Sequence, residues 1–214
     1  MNLLLTSNGL SNETLRKEFL HSLQKSPKEV SVAFVITAST VQSDTEYVTK
    51  DKQDLYDLGI REIVEIDIAR ERKLWEEDLQ RADVIYVEGG NTFYLLDCMR
   101  KAKFQEDFSE NLQRSVYVGV SAGSIVVTPT IAIAMVEPAD QNDVNMSDFT
   151  GLHLVDFEVS PHTPSYVPVE NVRTYAKSSS YPIYAIDDGC AIKYRDGLAS
   201  FVGEGFHELV NDVS

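Results

Sequence analysis

The sequence predicts an α/β protein, a three-layer α/β/α sandwich in which helices cover both faces of a mostly parallel sheet. Short apolar runs alternate with helical patterns through the first two thirds of the 214 residues. Several of these runs are nearly continuous in valine, isoleucine and aromatic residues, which is typical of strands that are buried on both faces. Near the carboxyl terminus, Asp196-Gly197 separates two further apolar runs and predicts an antiparallel hairpin at one edge of the sheet.

The first two thirds of the chain predict five strands, at residues 3–6, 30–37, 63–68, 84–87 and 116–120. Apolar residues at helical spacing fill the gaps between them. They predict a helix with Leu15, Phe19 and Leu23 after a Ser11 cap, one with the stripe Val41, Val48, Leu55 and Leu58, one with Leu74, Trp75 and Leu79, and one at 92–101.

The last third of the chain has a different order of predicted strands and helices. Strand-like runs occur at residues 131–136, 152–159 and 183–186, and the hairpin strands are predicted at 191–194 and 198–202. Val169, Val172 and Tyr175 indicate one more helix. Because no internal repeat or long linker interrupts the chain, we expect a single domain over residues 1–214.

Charge excludes several classes of partner. The 19 basic and 34 acidic residues give a net charge of −15, which repels nucleic acid, and the basic cluster at 70–73 is followed at once by acidic residues.

No apolar run approaches the roughly 20 residues that a membrane span needs, and the amino terminus lacks a signal-peptide pattern. Cys98 and Cys190 are too few for a metal site. We expect a cytoplasmic monomer or homodimer with reduced thiols and no cofactor.

The most specific local motif is Gly119-Val120-Ser121-Ala122-Gly123, which matches the G-x-S-x-G nucleophile elbow. It follows a predicted strand and precedes a stretch that can start a helix. A turn of this kind holds the serine in a strained conformation that only small neighbours permit. The motif therefore predicts Ser121 as a nucleophile, with the N–H of Ala122 at a helix amino terminus available to an oxyanion.

A second glycine pair lies upstream in Glu88-Gly89-Gly90-Asn91-Thr92, directly after the strand at 84–87. Gly89 and Gly90 let the backbone approach a ligand closely, and Asn91 or Thr92 can cap the following helix. Because acyl-transfer sites commonly draw a second oxyanion donor from a separate loop, we interpret Gly89, Gly90 and Asn91 as oxyanion- or substrate-binding residues. No G-x-x-x-x-G-K pattern supports a phosphate loop.

The base is one of four histidines. His21 falls on the first helix and His153 inside a predicted strand, where surface or packing roles are the ordinary expectation. His162 follows a strand and is held in Ser160-Pro161-His162-Thr163-Pro164, at the sheet end where open α/β folds keep their sites. We favour His162 as the base and keep His207 as its rival.

The third member of a triad is a carboxylate that orients the histidine. Asp187 and Asp188 close the strand at 183–186, and Glu137 follows the predicted strand at 131–136. Adjacent carboxylates repel, so one of the aspartates is expected to face a hydrogen-bonding partner. We favour Asp188, with Asp187 and Glu137 as alternatives.

With these residues assembled, the chain resembles the peptidase E and cyanophycinase family of serine peptidases. The resemblance runs from about residue 30 to 205 and rests on five segments in the order of that family: Gly89-Gly90-Asn91-Thr92-Phe93, Gly119-Val120-Ser121-Ala122-Gly123, Thr128-Pro129-Thr130, Pro161-His162 and Asp188-Gly189-Cys190-Ala191. It implies a flavodoxin-like α/β/α sandwich related to class I glutamine amidotransferases, with serine replacing the nucleophilic cysteine. It also implies the chain order Ser121, His162, Asp188.

The chain departs from that family in two places. The residue matched to Asp188 is usually a glutamate, and aspartyl dipeptidases carry an arginine in the loop after the histidine, whereas residues 163–170 contain none and Arg173 comes later. The resemblance thus implies a hydrolase of short peptides or isopeptides without a strict Asp-X preference.

Three alternatives stay open at this point. The first is a carboxylesterase of the α/β-hydrolase type that uses Ser121, Asp188 and His207, since this order also fits that fold. The second is a non-catalytic relative that binds a small molecule. The third, a glutaminase-like amidotransferase subunit, is disfavoured because neither cysteine lies at an elbow.

Overall fold

The central sheet has seven strands in the order β3-β2-β4-β5-β1-β8-β9. In the computed structural model, which describes residues 1–211, five parallel strands come from the first part of the chain: β1 (Asn2–Thr6), β2 (Ser31–Val35), β3 (Glu62–Ile66), β4 (Val84–Val87) and β5 (Val116–Val120). The antiparallel strands β8 (Cys190–Arg195) and β9 (Leu198–Gly203) complete one edge. Residues 212–214 of the predicted domain lie outside the described residues.

Helices pack on both faces of this sheet. They are α1 (Glu13–Ser22), α2 (Glu46–Asp57), α3 (Glu76–Arg81), α4 (Thr92–Lys101), α5 (Phe104–Asp107), α6 (Ser109–Arg114), α7 (Ala122–Ile125) and α8 (Val169–Ala176). Side chains of α1 and α2 join one buried cluster, whereas those of α3 to α8 join the other. In β1, Leu3 and Leu5 belong to the second cluster and Leu4 to the first, as the alternation of side chains along a strand requires. The predicted α/β architecture is confirmed.

The hairpin prediction is also confirmed. Arg195 pairs with Leu198, so only Asp196 and Gly197 lie between β8 and β9. Both turn residues have positive φ, 54° and 83°, which is the backbone that a two-residue turn between twisted strands needs.

A second, three-stranded sheet was not predicted. It has the order β10-β7-β6 and consists of β6 (Glu158–Ser160), β7 (Ile183–Ile186) and β10 (His207–Val210). Strands β6 and β7 are parallel, so their carboxyl ends meet at one edge. This arrangement brings the segments that follow them, which contain His162 and Asp188, next to each other.

Two predicted strands are wrong. Residues 131–136 contain a 3₁₀ helix, Ala132–Met135, and of residues 152–159 only the end enters β6. The backbone N–H groups of Leu152, His153 and Leu154 donate instead to the carbonyls of residues 126–128, just after α7. Most apolar side chains of this stretch are buried, but its hydrogen bonds complete a helix end rather than a sheet.

Three helix details also differ from prediction. Val41 and Leu74 lie in 3₁₀ turns, Thr37–Val41 and Arg72–Leu74, and both side chains are exposed. The cap of α1 is Asn12, whose side chain accepts from the N–H of Leu15, whereas Ser11 donates to the carbonyl of Asp188. Asn12 caps the helix because it directly precedes Glu13, whereas Ser11 lies one residue earlier and its hydroxyl is engaged with Asp188. Among residues 1–211 no helix is long and apolar enough to cross a membrane.

Candidate active site

Ser121 occupies a strained turn between β5 and α7. Its φ of 47° and ψ of −106° lie outside the regions that non-glycine residues ordinarily adopt. The flanking glycines are required by close packing: a Cβ on Gly119 would lie 2.5 Å from the Gly123 carbonyl oxygen, and one on Gly123 would lie 2.2 Å from that of Val87. The turn therefore has the backbone of a nucleophile elbow.

His162 lies in the loop that follows β6 and reaches the serine. Its Nε2 is 3.0 Å from Ser121 Oγ. The loop is tight: His162 has a φ of 56°, and its carbonyl accepts from the N–H groups of Tyr166 and Val167, each at 2.8 Å. The ring is thereby held within proton-transfer distance of the hydroxyl.

Asp188 contacts the opposite side of the imidazole. Its Oδ1 is 2.6 Å from His162 Nδ1, and this hydrogen bond lowers the pKa of Asp188 below its usual value, although partial burial opposes the shift. Asp187 accepts from the N–H of Asp188, and Glu137 accepts from the N–H of Ala139. Of the three candidate acids, Asp188 is the one that contacts His162.

Ser7 is a site residue that the sequence reasoning missed. It directly follows β1, is completely buried, and donates from Oγ to Asp188 Oδ1 at 3.0 Å. Ser7 Oγ also accepts from the backbone N–H of His162 at 2.7 Å. Ser7 therefore ties the aspartate to the histidine loop. The rule that singled out His162, a polar residue after the carboxyl end of a strand, applies equally to Ser7.

The glycine pair lies beside the elbow. A Cβ on Gly89 would be 3.2 Å from the Cβ of Ser121, and Gly90 has a φ of 133° and packs against the carbonyl of Ala38. The N–H of Gly89 donates to Glu88. Within the described residues, the N–H groups of Gly90 and Ala122 have no acceptor. We therefore consider these two N–H groups as candidate donors to an oxyanion at Ser121.

Asn91 is engaged in local structure. Its side chain accepts from the N–H of Tyr94 at 2.8 Å and donates to the carbonyl of Gln141 at 2.7 Å. It therefore caps α4, which is the alternative that the sequence offered. A contact between Asn91 and substrate remains a prediction.

Two cavities meet at Ser121. The smaller, about 70 Å³, has largely apolar walls that include Ile125, Ile133 and Val167. The larger, about 300 Å³, is bounded by polar groups such as Ser7 and the Gly89-Gly90 turn. A third cavity of about 680 Å³ lies beside α4 and is not lined by Ser121, His162 or Asp188, so its size does not connect it with this chemistry.

Asp140 borders both cavities at Ser121. Its carboxylate accepts from the N–H of Thr92 at 2.9 Å, and the Thr92 hydroxyl is buried without a partner within the described chain. Among the described residues, neither cavity is lined by lysine or arginine. Arg173 lies outside both cavities: on α8 it pairs with Glu170 of the same helix and with Glu208 of β10 in the second sheet.

The other polar candidates lie elsewhere. His207 is on β10, where its ring stacks against Phe201 at 4.5 Å, and His153 pairs with Asp156. Cys98 and Cys190 are free and buried. No group of three metal-ligating side chains occurs between residues 1 and 211.

A nucleophile elbow on an α/β sheet, with a histidine and an aspartate in hydrogen-bond series behind the serine, defines the class of serine hydrolases. A model of peptidase family S51 matches residues 3–202 of the chain. The chain therefore belongs to peptidase family S51 and is a serine-type peptidase.

Individual relatives agree with this assignment. The uncharacterized peptidase Lmo0363 of Listeria monocytogenes is 37% identical over 190 residues, which cover 85% of this chain and 90% of that protein. Peptidase E of Nostoc is 28% identical over 216 residues, which cover 94% of this chain and 84% of that protein. A crystal structure of a Listeria monocytogenes protein named as a peptidase E superposes with a TM-score of 0.80 at 30% identity, covering 95% of this chain and 98% of that one. A peptidase structure from an acI-B1 Actinobacterium shares the fold, with a TM-score of 0.75 at 19% identity, over 99% and 91% of the two chains.

Proposed function

We propose that this serine peptidase hydrolyses short peptides through an acyl-enzyme on Ser121, with His162 as the base and Asp188 as the residue that orients it. The observation that carries the proposal is the hydrogen-bond series from Ser121 Oγ to His162 Nε2 (3.0 Å) and from His162 Nδ1 to Asp188 Oδ1 (2.6 Å). Because a carboxylate accepts but does not donate, Asp188 favours the tautomer with the proton on Nδ1, which leaves Nε2 free to accept from the serine.

In the acylation step, Ser121 Oγ forms a bond to the scissile carbonyl carbon while its proton passes to His162 Nε2. The negative charge that develops on the carbonyl oxygen is stabilised by the N–H groups of Gly90 and Ala122. His162 then gives its proton to the leaving amine as the C–N bond breaks. The imidazolium that exists between these transfers is stabilised by Asp188.

In the deacylation step, His162 takes a proton from water, and the water oxygen attacks the ester carbonyl. The bond to Ser121 Oγ breaks, and the proton returns from His162 to the serine.

The cavity walls favour substrates with a small apolar side chain next to the scissile bond. A space of about 70 Å³ between Ile125, Ile133 and Val167 excludes large groups, and its apolar walls desolvate a charged one without compensation. Asp140, at the edge of both cavities, attracts a cation such as the amino group of a short peptide. An aspartyl side chain finds no basic partner among the residues that line either cavity.

The test is hydrolysis of a mixed library of dipeptides, tripeptides and β-aspartyl peptides, read by mass spectrometry, with Ser121→Ala alongside. We expect Ser121-dependent cleavage of short peptides with a free amino terminus and a small apolar first residue. Cleavage of Asp-X peptides alone would contradict the substrate assignment. Equal cleavage by Ser121→Ala would contradict the mechanism.

A further inference from the structure

The peptide unit between Gly89 and Gly90 is held from its carbonyl side. Tyr47, on α2, donates from its hydroxyl to the Gly89 carbonyl oxygen at 3.3 Å. In a trans peptide the C=O and the N–H point in opposite directions, so a donor that fixes the carbonyl also fixes the N–H of Gly90. A hydrogen bond to the carbonyl also polarises the peptide and makes its N–H a stronger donor.

The preceding peptide is held by Glu88. Its Oε2 accepts from the N–H of Gly89 at 3.2 Å, and its side chain is completely buried. Within the described residues, Glu88 Oε1 has no hydrogen-bond partner. Glu88 thus occupies the N–H of Gly89 and leaves that of Gly90 free for a ligand.

No ion pair of Glu88 occurs within residues 1–211. Asp51 of α2 is buried nearby and accepts from the hydroxyl of Tyr86, and Lys50, the basic group that acts on Glu88, is exposed and paired with Asp54 and Asp51. Burial raises the pKa of Glu88 well above its usual value, and the negative charge of Asp51 acts in the same direction. The folded protein therefore favours the uncharged carboxyl.

Tyr47 keeps its proton in the same environment. Burial raises the pKa of Tyr47 to about 12, and the Glu88 carboxylate adds to this shift once it has ionised, so the Tyr47 hydroxyl remains a donor across the neutral and mildly alkaline range. Asp44 and Asp51 also face this hydroxyl and act in the same direction, whereas Ser39 opposes them. The charged groups that act on Tyr47 are thus acidic, and Lys50 is the basic group that acts on Glu88.

We propose that Tyr47 and Glu88 are positioning residues that hold the Gly89-Gly90 peptide with the Gly90 N–H turned toward the carbonyl adduct of Ser121. The proposal rests on the function proposed for Ser121. If Glu88 ionises, its negative charge lies two positions before Gly90, the proposed donor to the oxyanion. That charge disfavours the negative charge on the substrate oxygen. Activity is therefore expected to decline when the pH is high enough to ionise Glu88.

The test compares Tyr47→Phe, Glu88→Gln and wild type, with Tyr56→Phe as the matched control on the same helix. The quantities are kcat and KM on a cleaved peptide, the dissociation constant of a peptide boronate that mimics the tetrahedral adduct, and the thermal midpoint. Loss of a whole oxyanion donor lowers kcat by about 10²–10³. For Tyr47→Phe, where the donor is misaligned but present, we expect about a 10-fold loss in kcat, a matching loss in boronate affinity, and a KM within about twofold.

The amide of Glu88→Gln retains an acceptor for the Gly89 N–H but cannot ionise. It is expected to keep the neutral-pH activity within about threefold and to lose the alkaline decline of wild type. Unchanged kcat and boronate affinity in Tyr47→Phe, or the same alkaline limb in Glu88→Gln, would overturn the inference while leaving Ser121-dependent hydrolysis intact. A wild type without Ser121-dependent hydrolysis would instead overturn the proposed function and the inference with it.

Discussion

Removal of the Ser7 hydroxyl is the perturbation that the geometry predicts most sharply. Ser7→Ala deletes the donor to Asp188 Oδ1 at 3.0 Å and the acceptor of the His162 N–H at 2.7 Å, while it leaves Ser121, His162 and Asp188 unchanged. A hydrogen bond to a charged group contributes about 1.5–3 kcal/mol. The Asp188 side chain is 40% exposed, so water replaces part of this contribution and the lower end of the range applies.

A loss of about 1.4 kcal/mol corresponds to a roughly tenfold decrease in rate. We therefore expect kcat/KM of Ser7→Ala to fall about tenfold at neutral pH, measured by continuous assay on the best peptide from the library. The matched control is Ser11→Ala, because Ser11 donates to the backbone carbonyl of Asp188 at 2.8 Å and not to its carboxylate. An unchanged rate in Ser7→Ala, or an equal loss in Ser11→Ala, would refute the role assigned to Ser7.

Three further predictions use different parts of the site. His162→Ala should lower kcat by at least about 10³-fold in the same assay, because His162 contacts Ser121. His207→Ala should lower kcat by less than twofold, because His207 lies against Phe201 instead. The reverse order would restore the esterase-type assignment. Asp140→Asn keeps an oxygen that accepts from the Thr92 N–H but loses the negative charge. KM should therefore rise for peptides with a free amino group and not for their N-acetylated forms. An equal rise for both would refute binding of the amino group by Asp140. The pKa of Glu88 is raised in the fold, so the contribution of Glu88 to the free energy of unfolding falls by about 1.4 kcal/mol per pH unit as the pH rises from its unfolded-state pKa toward the folded one. Urea denaturation should accordingly show Glu88→Gln gaining stability relative to wild type at pH 7 compared with pH 4, and an equal difference at both values would contradict a neutral Glu88.

The parts of this fold that could be predicted from sequence are those with a local cause. Continuous apolar strands, the Asp196-Gly197 turn and the Gly119 to Gly123 elbow each depend on residues adjacent in the chain, and each is where the pattern placed it. The residues 131–136 were mistaken for a strand because an apolar run has the same appearance whether its backbone joins a sheet or a 3₁₀ turn.

The parts of the site that escaped prediction depend on contacts between distant segments. Ser7 and Asp188 are 181 positions apart, and Tyr47 reaches the Gly89 carbonyl from a helix whose register the sequence did not specify. The second sheet, which brings His162 beside Asp188, was not predicted either, so the choice of Asp188 over Glu137 rested on its position after a strand rather than on a contact. Packing between remote elements, and not local propensity, decides these details.

Reaction with a fluorophosphonate probe, followed by intact-mass and peptide mapping, examines the activated hydroxyl without knowledge of the natural substrate. One adduct per chain, located on residue 121, with a rate that falls by orders of magnitude in His162→Ala and stays unchanged in His207→Ala, is the predicted result. A folded wild-type protein that takes up no probe, or that carries it on another residue, would contradict the central assignment.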